Sequence, residues 1–265
     1  MNPWLALLLV WMLAAPMMAL GWWWQRRHAN AGIVDVLWAA GLAGAALLTA
    51  WFGHGAVAPR IAVAALGGAW GTRLAVHLWM RVRGEGEDGR YRALRQRWLG
   101  DQRSFVIFFQ FQALLIPLFA LPFVAVAANP HIQAPLLGAG VAVWLLAVVG
   151  EAVADAQLAR FRADPAHRGK TCRTGLWRYT RHPNYFCEWL HWFAYVLLAW
   201  GSPLWWLAWS GPLLMYLFLR FLSGIPFTEA QALHTRGQDY RDYQRSTPMF
   251  FPRFPKALQA GGSSS

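Results

Sequence analysis

The sequence predicts an all-α integral membrane protein, a bundle of seven transmembrane helices. Three observations point to it: 57% of the 265 residues are hydrophobic, only 14% are charged, and the apolar residues occur in runs of membrane-spanning length. A soluble domain carries about 25% charged residues, so this composition excludes that class. We expect one membrane-embedded domain over residues 1–258, with its cofactor-binding half at residues 136–256.

The apolar runs indicate the order of the helices. A helix needs about 20 residues to cross about 30 Å of hydrocarbon. The first run has no Lys or Arg before it and is followed by Arg26 and Arg27, so we expect a retained helix and not a cleaved signal peptide. The predicted spans are residues 3–24, 33–52, 61–80, 104–128, a fifth that begins near 136, 185–200, and a seventh that ends near 221.

The positive charges predict the orientation of these helices. Lys and Arg are concentrated in the loop 81–103, in the segment 160–181 and from residue 220 onward, on the same predicted side as Arg26 and Arg27, whereas Arg60 lies on the other side. Cytoplasmic loops carry the excess of Lys and Arg. We therefore expect the N-terminus outside, the C-terminus in the cytoplasm and an active site that opens to the cytoplasm.

The net charge of +12 does not indicate a nucleic-acid partner. The Lys and Arg residues stand in short blocks between apolar runs, where membrane topology and anionic lipid headgroups explain them. Cys172 and Cys187 fall on or near the cytoplasmic side, where thiols stay reduced, and neither has the neighbours of a metal site. Residues 259–265 are of low complexity and resemble an expression linker, so we treat them as a flexible tail outside the fold.

The stretch 175–197 leads dense positive charge directly into an apolar run. Asn184, Glu188, His191 and Tyr195 fall at i, i+4, i+7 and i+11, which places them on one face of a helix. A carboxylate at membrane depth is costly unless it is paired or lines water, so we expect this face to line a cavity. The cations upstream form a collar suited to phosphate groups, or alternatively only a positive-inside flank of the span. These cations are Lys170, Arg173, Arg178 and Arg181.

Two earlier spans also carry charged residues. Asp35 stands near the cytoplasmic end of the second span, in IVDVLW, where it is either a site residue or an N-terminal charge that favours the helix dipole. Arg73 lies within the third span, where an Arg must meet an anion or water, and Trp70 and Arg81 share its helical stripe. We expect most charges of the loop 81–103 to be solvated.

The fifth span ends in GEAVADAQLARFR, which adds two more carboxylates. Glu151, Asp155 and Arg162 share a helix face, and two carboxylates so placed repel each other unless something hydrogen-bonds them. Carboxylates inside the bundle with cations at its mouth suit a large anionic cofactor. Neither a GxGxxG after a strand nor a Walker loop is present, so the helices themselves must hold it. The predicted site residues are Asp35, Arg73, Arg81, Glu151, Asp155, Arg162, Lys170, Tyr179, Asn184 and Glu188, with no metal.

These motifs resemble a known family. GLWRYTRHPNYFCEW and EAVADAQLARFR look like the C-terminal half of the steroid 5-alpha-reductase family, through bacterial relatives with an uncharacterised membrane domain that share IVDVLW, RGEGED-RY and a closing YQR-T-FFP. The resemblance implies a bacterial inner-membrane enzyme that binds NADPH on the cytoplasmic side and passes a hydride to the β-carbon of an enone-type lipid or steroid-like substrate. The expected partners are that hydrophobic small molecule and membrane lipids.

The resemblance also implies roles for single residues. Five side chains fall on positions that look like the family's cofactor contacts: Asp155, Arg162, Lys170, Asn184 and Glu188. Glu151 and Arg81 each stand where the family has Asn. In the front half, the family's carbonyl-polarising Gln-Glu pair has no counterpart, and Trp70 stands where the family has Tyr. Asp35 is the acid on the second span and our candidate for the proton-donating or carbonyl-polarising group.

A second family fits part of the same stretch. RHP-x-Y after a Gly-aromatic turn, the later Glu229 and the closing Y-x-x-Y-x-x-x-x-P-x-F-x-P are similar to isoprenylcysteine carboxyl methyltransferases, which bind S-adenosylmethionine. Asp155, Arg162 and Glu188 together favour the reductase. A transporter would more often show internal repeats and broken helices in paired positions, and the sequence shows neither.

Overall fold

The computed structural model describes residues 2–254, and no strand occurs among them. The predicted all-α class is therefore confirmed for this part of the chain. The last residues of the predicted domain, 255–258, and the predicted tail, 259–265, lie outside the described residues.

The helices follow one another through short connections. Polar side chains begin several of them, since Asn2, Asp88 and Asp101 each accept a backbone N–H in the first turn of the helix that follows. The α-helices are α1 Pro3–His28, α2 Ile33–Phe52, α3 Val57–Gly84, α4 Gly89–Arg97, α5 Gln102–Phe119, α6 Leu121–Ala127, α7 Ala134–Ala163, α8 Pro183–Leu190, α9 Trp192–Leu198, α10 Ser210–Leu217, α11 Ile225–Arg236 and α12 Gln238–Ser246. Between them lie 3₁₀ turns at Pro165–His167, Gly175–Arg178 and Trp205–Trp209, and a π-helical turn at Phe218–Leu222.

Six helical stretches within residues 2–254 are long and apolar enough to cross a membrane. This is the architecture of a membrane protein. The first five contain or closely follow the first five predicted spans. The six stretches are Pro3–His28, Ile33–Phe52, Val57–Gly84, Gln102–Ala127, Ala134–Ala163 and Trp205–Arg236.

The sixth predicted span, 185–200, has a different form. It is divided into α8 and α9, helices of 8 and 7 residues that meet at His191. Neither is long enough to cross the hydrocarbon core by itself, since crossing needs about 20 residues. The count of seven spans and the orientation of the termini therefore stay predictions.

The described residues belong to two compact units. The first contains the chain through Leu145 together with His191–Tyr216, and the second contains Leu146–Leu190 together with the chain from Leu217 onward. The chain passes from one unit to the other three times: inside α7, between α8 and α9, and inside α10. The predicted single domain over residues 1–258 stays a prediction.

Small residues let the helices of the first unit approach closely. On α3, a Cβ added at Gly71 would lie 2.8 Å from the Ala39 carbonyl oxygen of α2, and one added at Gly67 would lie 2.7 Å from the Ala46 Cβ. Close backbone approach of this kind is how helices associate in membranes, where lipid removes the hydrophobic drive between them. The sequence GLAGAALLTA of α2 is therefore a packing surface.

A cluster of buried aromatic rings fills the core of the first unit. Trp70 is fully buried, stacks on His191 with ring centroids 4.4 Å apart, and meets Trp192 edge-on at 5.5 Å. Phe123 stacks on Trp192 and contacts Tyr195. Trp70, which stands where the reductase family that the sequence resembles has Tyr, is thus part of a closely packed ring cluster.

The second unit is organised by α7, α8, α11 and α12. The indole N–H of Trp177 donates to the Ala154 carbonyl of α7 at 2.9 Å, and the amide of Leu176 donates to the Gln157 side chain at 2.9 Å. Gly175 has φ +60°, and a Cβ there would overlap the Gln157 side chain. Glycine is required because it alone enters this left-handed region freely and leaves the space that Gln157 occupies.

Candidate functional site

In the first unit, Asp35 is held by two residues of the charged loop. It lies in the first turn of α2 and accepts hydrogen bonds from Arg90 Nη2 at 2.9 Å and from the Tyr91 hydroxyl at 2.7 Å. Tyr91 is 4% exposed. Burial raises the pKa of Tyr91 well above its usual range, and the Asp35 carboxylate raises it further. Tyr91 therefore stays neutral and donates a hydrogen bond to Asp35.

A small open cleft adjoins this pair. Arg81, at the end of α3, reaches Asp88 at 3.4 Å across it. Burial alone would raise the pKa of Asp88, but the charge and hydrogen bonds of Arg90 outweigh it, so the pKa falls below its usual value. The cleft can therefore receive a small polar group among fixed charges. Its polar lining comprises Asn30, Asp35, Arg81, Glu85, Asp88, Arg90 and Tyr91.

A second ion pair fixes the charged loop to the start of α2. Arg95 binds both carboxylate oxygens of Glu87, at 2.8 and 3.0 Å, and Glu87 also accepts the backbone N–H of Ala31 at 2.8 Å. Arg95 also donates to the buried amide of Gln25 in α1. Most charged side chains of the loop 81–103 are exposed, as expected, but Glu87 and Arg95 are partly buried in this ion pair.

Arg73 and Arg81 lie on the continuous helix α3, as their predicted stripe requires. Trp70 is buried, Arg73 is partly buried, and the Arg81 side chain is 45% exposed. Exposure thus increases toward the end of α3 that carries the cleft. Asp35 lies in the first turn of α2, where its charge favours the helix dipole, and Arg90 and Tyr91 of the loop after α3 donate hydrogen bonds to it.

In the second unit, the polar stripes of α7 and α8 meet. The Asn184 side-chain amide donates to Asp155 at 3.0 Å. The two helices can approach because position 150 is glycine: a Cβ there would lie 2.8 Å from the sulfur of Cys187. Glu151, on the next position of α7, is 7% exposed, and Glu188 is partly buried on α8. The contact between Asn184 and Asp155 thus joins the two helices that also carry Glu151 and Glu188.

Exposed cations follow the end of α7. Arg162 lies in the last turn of α7, and Lys170 stands in the connection after it; both are exposed. Tyr179 is partly buried after the 3₁₀ turn, and its carbonyl accepts the backbone N–H of Arg253 at 3.0 Å. Arg178, beside it, is also exposed. These groups are accessible to an anionic ligand.

The predicted cationic collar is wrong for Arg181. That side chain is only 7% exposed and donates to Glu229 of α11 at 2.7 Å and to the carbonyls of Gln244 and Thr247. Arg173 is likewise bound, to Asp239 at 2.8 Å. The ion pair of Arg181 is buried, whereas Arg173 is 41% exposed in its pair with Asp239, so Lys170, Arg173 and Arg178 are the exposed members of the collar.

Sequence reasoning missed the partners of the site residues. Arg90 and Tyr91 were visible only as part of the RGEGED-RY motif, and Glu229 only as part of the methyltransferase-like pattern. One local signal was available: Asp88 before Gly89 is a helix N-cap pattern, and the structure has α4 there. The remaining contacts join residues far apart in the chain, so no local pattern reveals them.

Comparison with known proteins identifies a family without a known activity. The profile of the family described as "Protein of unknown function (DUF1295)" matches residues 21–247. A protein of Schizosaccharomyces pombe named "Uncharacterized protein C9.08c" is 51% identical over 43 residues, which cover 16% of this chain and 15% of the yeast protein. No solved structure matches the chain.

Proposed function

The chain belongs to the DUF1295 family, and we propose that it is a membrane-bound NADPH-dependent reductase acting on the C=C bond of an enone-type lipid or steroid-like substrate. The observation that carries this proposal is the hydrogen bond from Asn184 to Asp155, which joins the polar faces of α7 and α8 in an apolar protein. Polar side chains at membrane depth are costly and mark functional sites. Their positions match the cofactor contacts of the resembling reductases.

The second unit offers the donor set that such a cofactor needs. Exposed Arg162 and Lys170 can bind phosphate groups through charge-assisted hydrogen bonds. Asn184 and Glu188 can bind the amide-bearing head, with Asp155 holding the Asn184 amide in place. Bound NADPH supplies the hydride. Glu151 and Tyr179 complete the proposed cofactor set of this unit.

The first unit offers the remaining proposed residues. Arg73 and Arg81 are the proposed cofactor-binding cations there. Asp35 is the proposed group that polarises the carbonyl or supplies the proton. Its hydrogen bonds to Arg90 and Tyr91 fix the direction of the carboxylate, which a positioned acid–base group requires.

We propose seven spans with the N-terminus outside, the C-terminus in the cytoplasm and the active site open to the cytoplasm of a bacterial inner membrane. The one-sided distribution of Lys and Arg supports this topology. A reporter fused after Pro255 should be cytoplasmic, and a tag before Met1 should be accessible from outside. Two termini on the same side contradict the seven-span count.

The decisive experiment is cofactor binding by the purified protein in detergent. NADPH should bind saturably and more tightly than NADH, because the exposed cations can bind the extra phosphate. Asn184→Ala or Glu188→Ala should each cost about 1–3 kcal/mol of binding by removing a buried polar partner, a loss of roughly ten- to hundredfold in affinity.

The control is Val153→Ala on α7, since Val153 is 41% exposed and apolar. This variant should bind NADPH like the unchanged protein. Well-folded Asn184→Ala and Glu188→Ala proteins with unchanged affinity would show that the polar stripe is packing only.

A methyltransferase is the second candidate. The observation that favours it is the cluster of Arg181, His182 and Glu229, since these residues of the methyltransferase-like pattern are in contact. Saturable binding of S-adenosylmethionine without binding of NADPH would decide for this alternative.

A further inference from the structure

One carboxylate of the second unit connects α11 and α12 to the residues just before α8. Glu229 of α11 accepts hydrogen bonds from Arg181 Nε at 2.7 Å, from Gln244 Nε2 of α12 at 2.9 Å and from the Tyr240 hydroxyl at 3.4 Å. His182 Nε2 lies 3.2 Å away. An ionised carboxylate only accepts, so the proton of His182 resides on Nε2. Glu229 thus serves four donors, and its side chain is 14% exposed.

The donors of this carboxylate lead directly into the proposed cofactor helix. Arg181 and His182 are the two residues before Pro183, where α8 begins, and Asn184 follows. Arg181 is 7% and His182 is 2% exposed. Fixing two buried side chains just before the first turn fixes where that turn lies. Glu229 therefore acts on Asn184 through the backbone of α8 and not by contact.

The closing segment of the chain completes the attachment. The backbone N–H of Arg181 donates to the Pro248 carbonyl at 2.9 Å, and the Thr180 hydroxyl donates to the Phe250 carbonyl at 2.9 Å. Arg181 also donates through its guanidinium to the Thr247 carbonyl at 2.8 Å. Glu229 holds the side chain of Arg181 while the backbone of residues 247–250 holds the main chain beside it.

We propose that Glu229 is a positioning residue that sets the start of α8 and thereby the affinity for the cofactor. This inference rests on the proposed function, because the helix it positions carries Asn184 and Glu188. The carboxylate is suited to the role, since all four of its neighbours can donate hydrogen bonds and it has only acceptor oxygens. The side chain of Gln at this position would instead turn its NH2 donor toward one of those donors. Charged hydrogen bonds of this kind are also the stronger ones.

The test compares Glu229→Gln and Glu229→Asp with the unchanged protein, using the full chain in detergent. The first readout is amide hydrogen exchange in residues 179–186, which does not depend on a cofactor. Glu229→Gln should accelerate it, and Glu229→Asp, which keeps the charge, should restore it in part. The control is Asp242→Asn, which removes an exposed ion pair to Arg245 in the same unit and should leave exchange unchanged.

The second readout is NADPH affinity in a double-mutant cycle with Asn184→Ala. Glu229→Gln alone should weaken binding roughly tenfold or more, as supporting residues of a binding site commonly do. In the Asn184→Ala background the same change should have a clearly smaller effect, because both act through one group. A merely structural role would produce equal fold-changes in both backgrounds.

The outcomes separate this inference from the proposed function. Unchanged exchange in Glu229→Gln overturns the positioning role, as does faster exchange with unchanged NADPH affinity. Faster exchange in a protein whose unchanged form binds no NADPH supports Glu229 as the residue that sets α8 and overturns the reductase proposal instead. Faster exchange with weaker, coupled NADPH binding supports both.

Discussion

Removing the Tyr91 hydroxyl tests whether the charged loop is part of the folded first unit. Tyr91→Phe deletes a single atom that donates to Asp35 at 2.7 Å from a buried position. Asp35→Ala removes the acceptor and also the contact with Arg90 at 2.9 Å. If Asp35 and Tyr91 were both solvated, neither change would matter for stability.

The expected magnitudes follow from burial. A hydrogen bond to a charged group contributes about 1.5–3 kcal/mol, so Tyr91→Phe should lower the free energy of unfolding by about that amount. The Asp35–Arg90 pair is roughly one-third exposed, and such pairs contribute only about 0.2–1 kcal/mol. Asp35→Ala also leaves the buried Tyr91 hydroxyl without its acceptor and should therefore cost about 2–4 kcal/mol.

The assay is a double-mutant cycle measured by denaturant unfolding in detergent micelles. Because the two residues share one hydrogen bond, the double variant should be less destabilised than the sum of the two by about 1–3 kcal/mol. Arg92→Ala, exposed on the same helix α4, should stay within about 0.5 kcal/mol of the unchanged protein. Additive effects of Tyr91→Phe and Asp35→Ala to within about 0.5 kcal/mol refute the direct contact.

Three further predictions address other parts of the structure. Glu87→Ala should destabilise the protein by about 3 kcal/mol in the same assay, because it removes the carboxylate partner of the partly buried Arg95, whereas the 67% exposed Glu85→Ala should be neutral. Equal effects contradict the Glu87–Arg95 support. Gly175→Ala should cost about 1 kcal/mol more than Gly169→Ala, because both sites have positive φ but only Gly175 faces a side chain, that of Gln157; equal losses argue against that contact. Burial lowers the pKa of His182 although its bond to Glu229 opposes this, so the unfolded chain takes up the proton first; stability should fall as pH drops below about 6.5, and His182→Gln should reduce that slope.

The helices were predictable from the sequence where hydrophobicity alone determines them. The second span was predicted as 33–52 and α2 is Ile33–Phe52, because an apolar run bounded by polar residues and glycines has only one way to be a helix in a membrane. The break at His191 was not predictable in this way, since the residues on both sides of it are mostly apolar and form helices. A hydropathy pattern detects a run of suitable residues and not an interruption of the helix within it.

The polar contacts show the complementary limit. Helical spacing correctly placed Asp155 and Asn184 on polar faces, but only the fold brings their side chains together. Arg181 and Lys170 look alike in the sequence as cations of one segment. One is buried against Glu229, 48 residues later in the chain, and the other is exposed. Charge counting predicts the side of the membrane, whereas the partner of each charge depends on long-range packing.

The interleaving of the two units has a consequence for biosynthesis. Residues 146–190 of the second unit leave the ribosome before His191–Tyr216 of the first, and their partners from Leu217 onward follow later still. Arg181 meets Glu229 only after a further 48 residues have been made, and Thr180 meets Phe250 only after 70. During translation, the Arg181 side chain therefore has no Glu229 partner until those 48 residues have been made, and it must be solvated by water, lipid headgroups or the insertion machinery. A chain truncated before Glu229 would therefore leave Arg181 without its carboxylate, beside the start of α8.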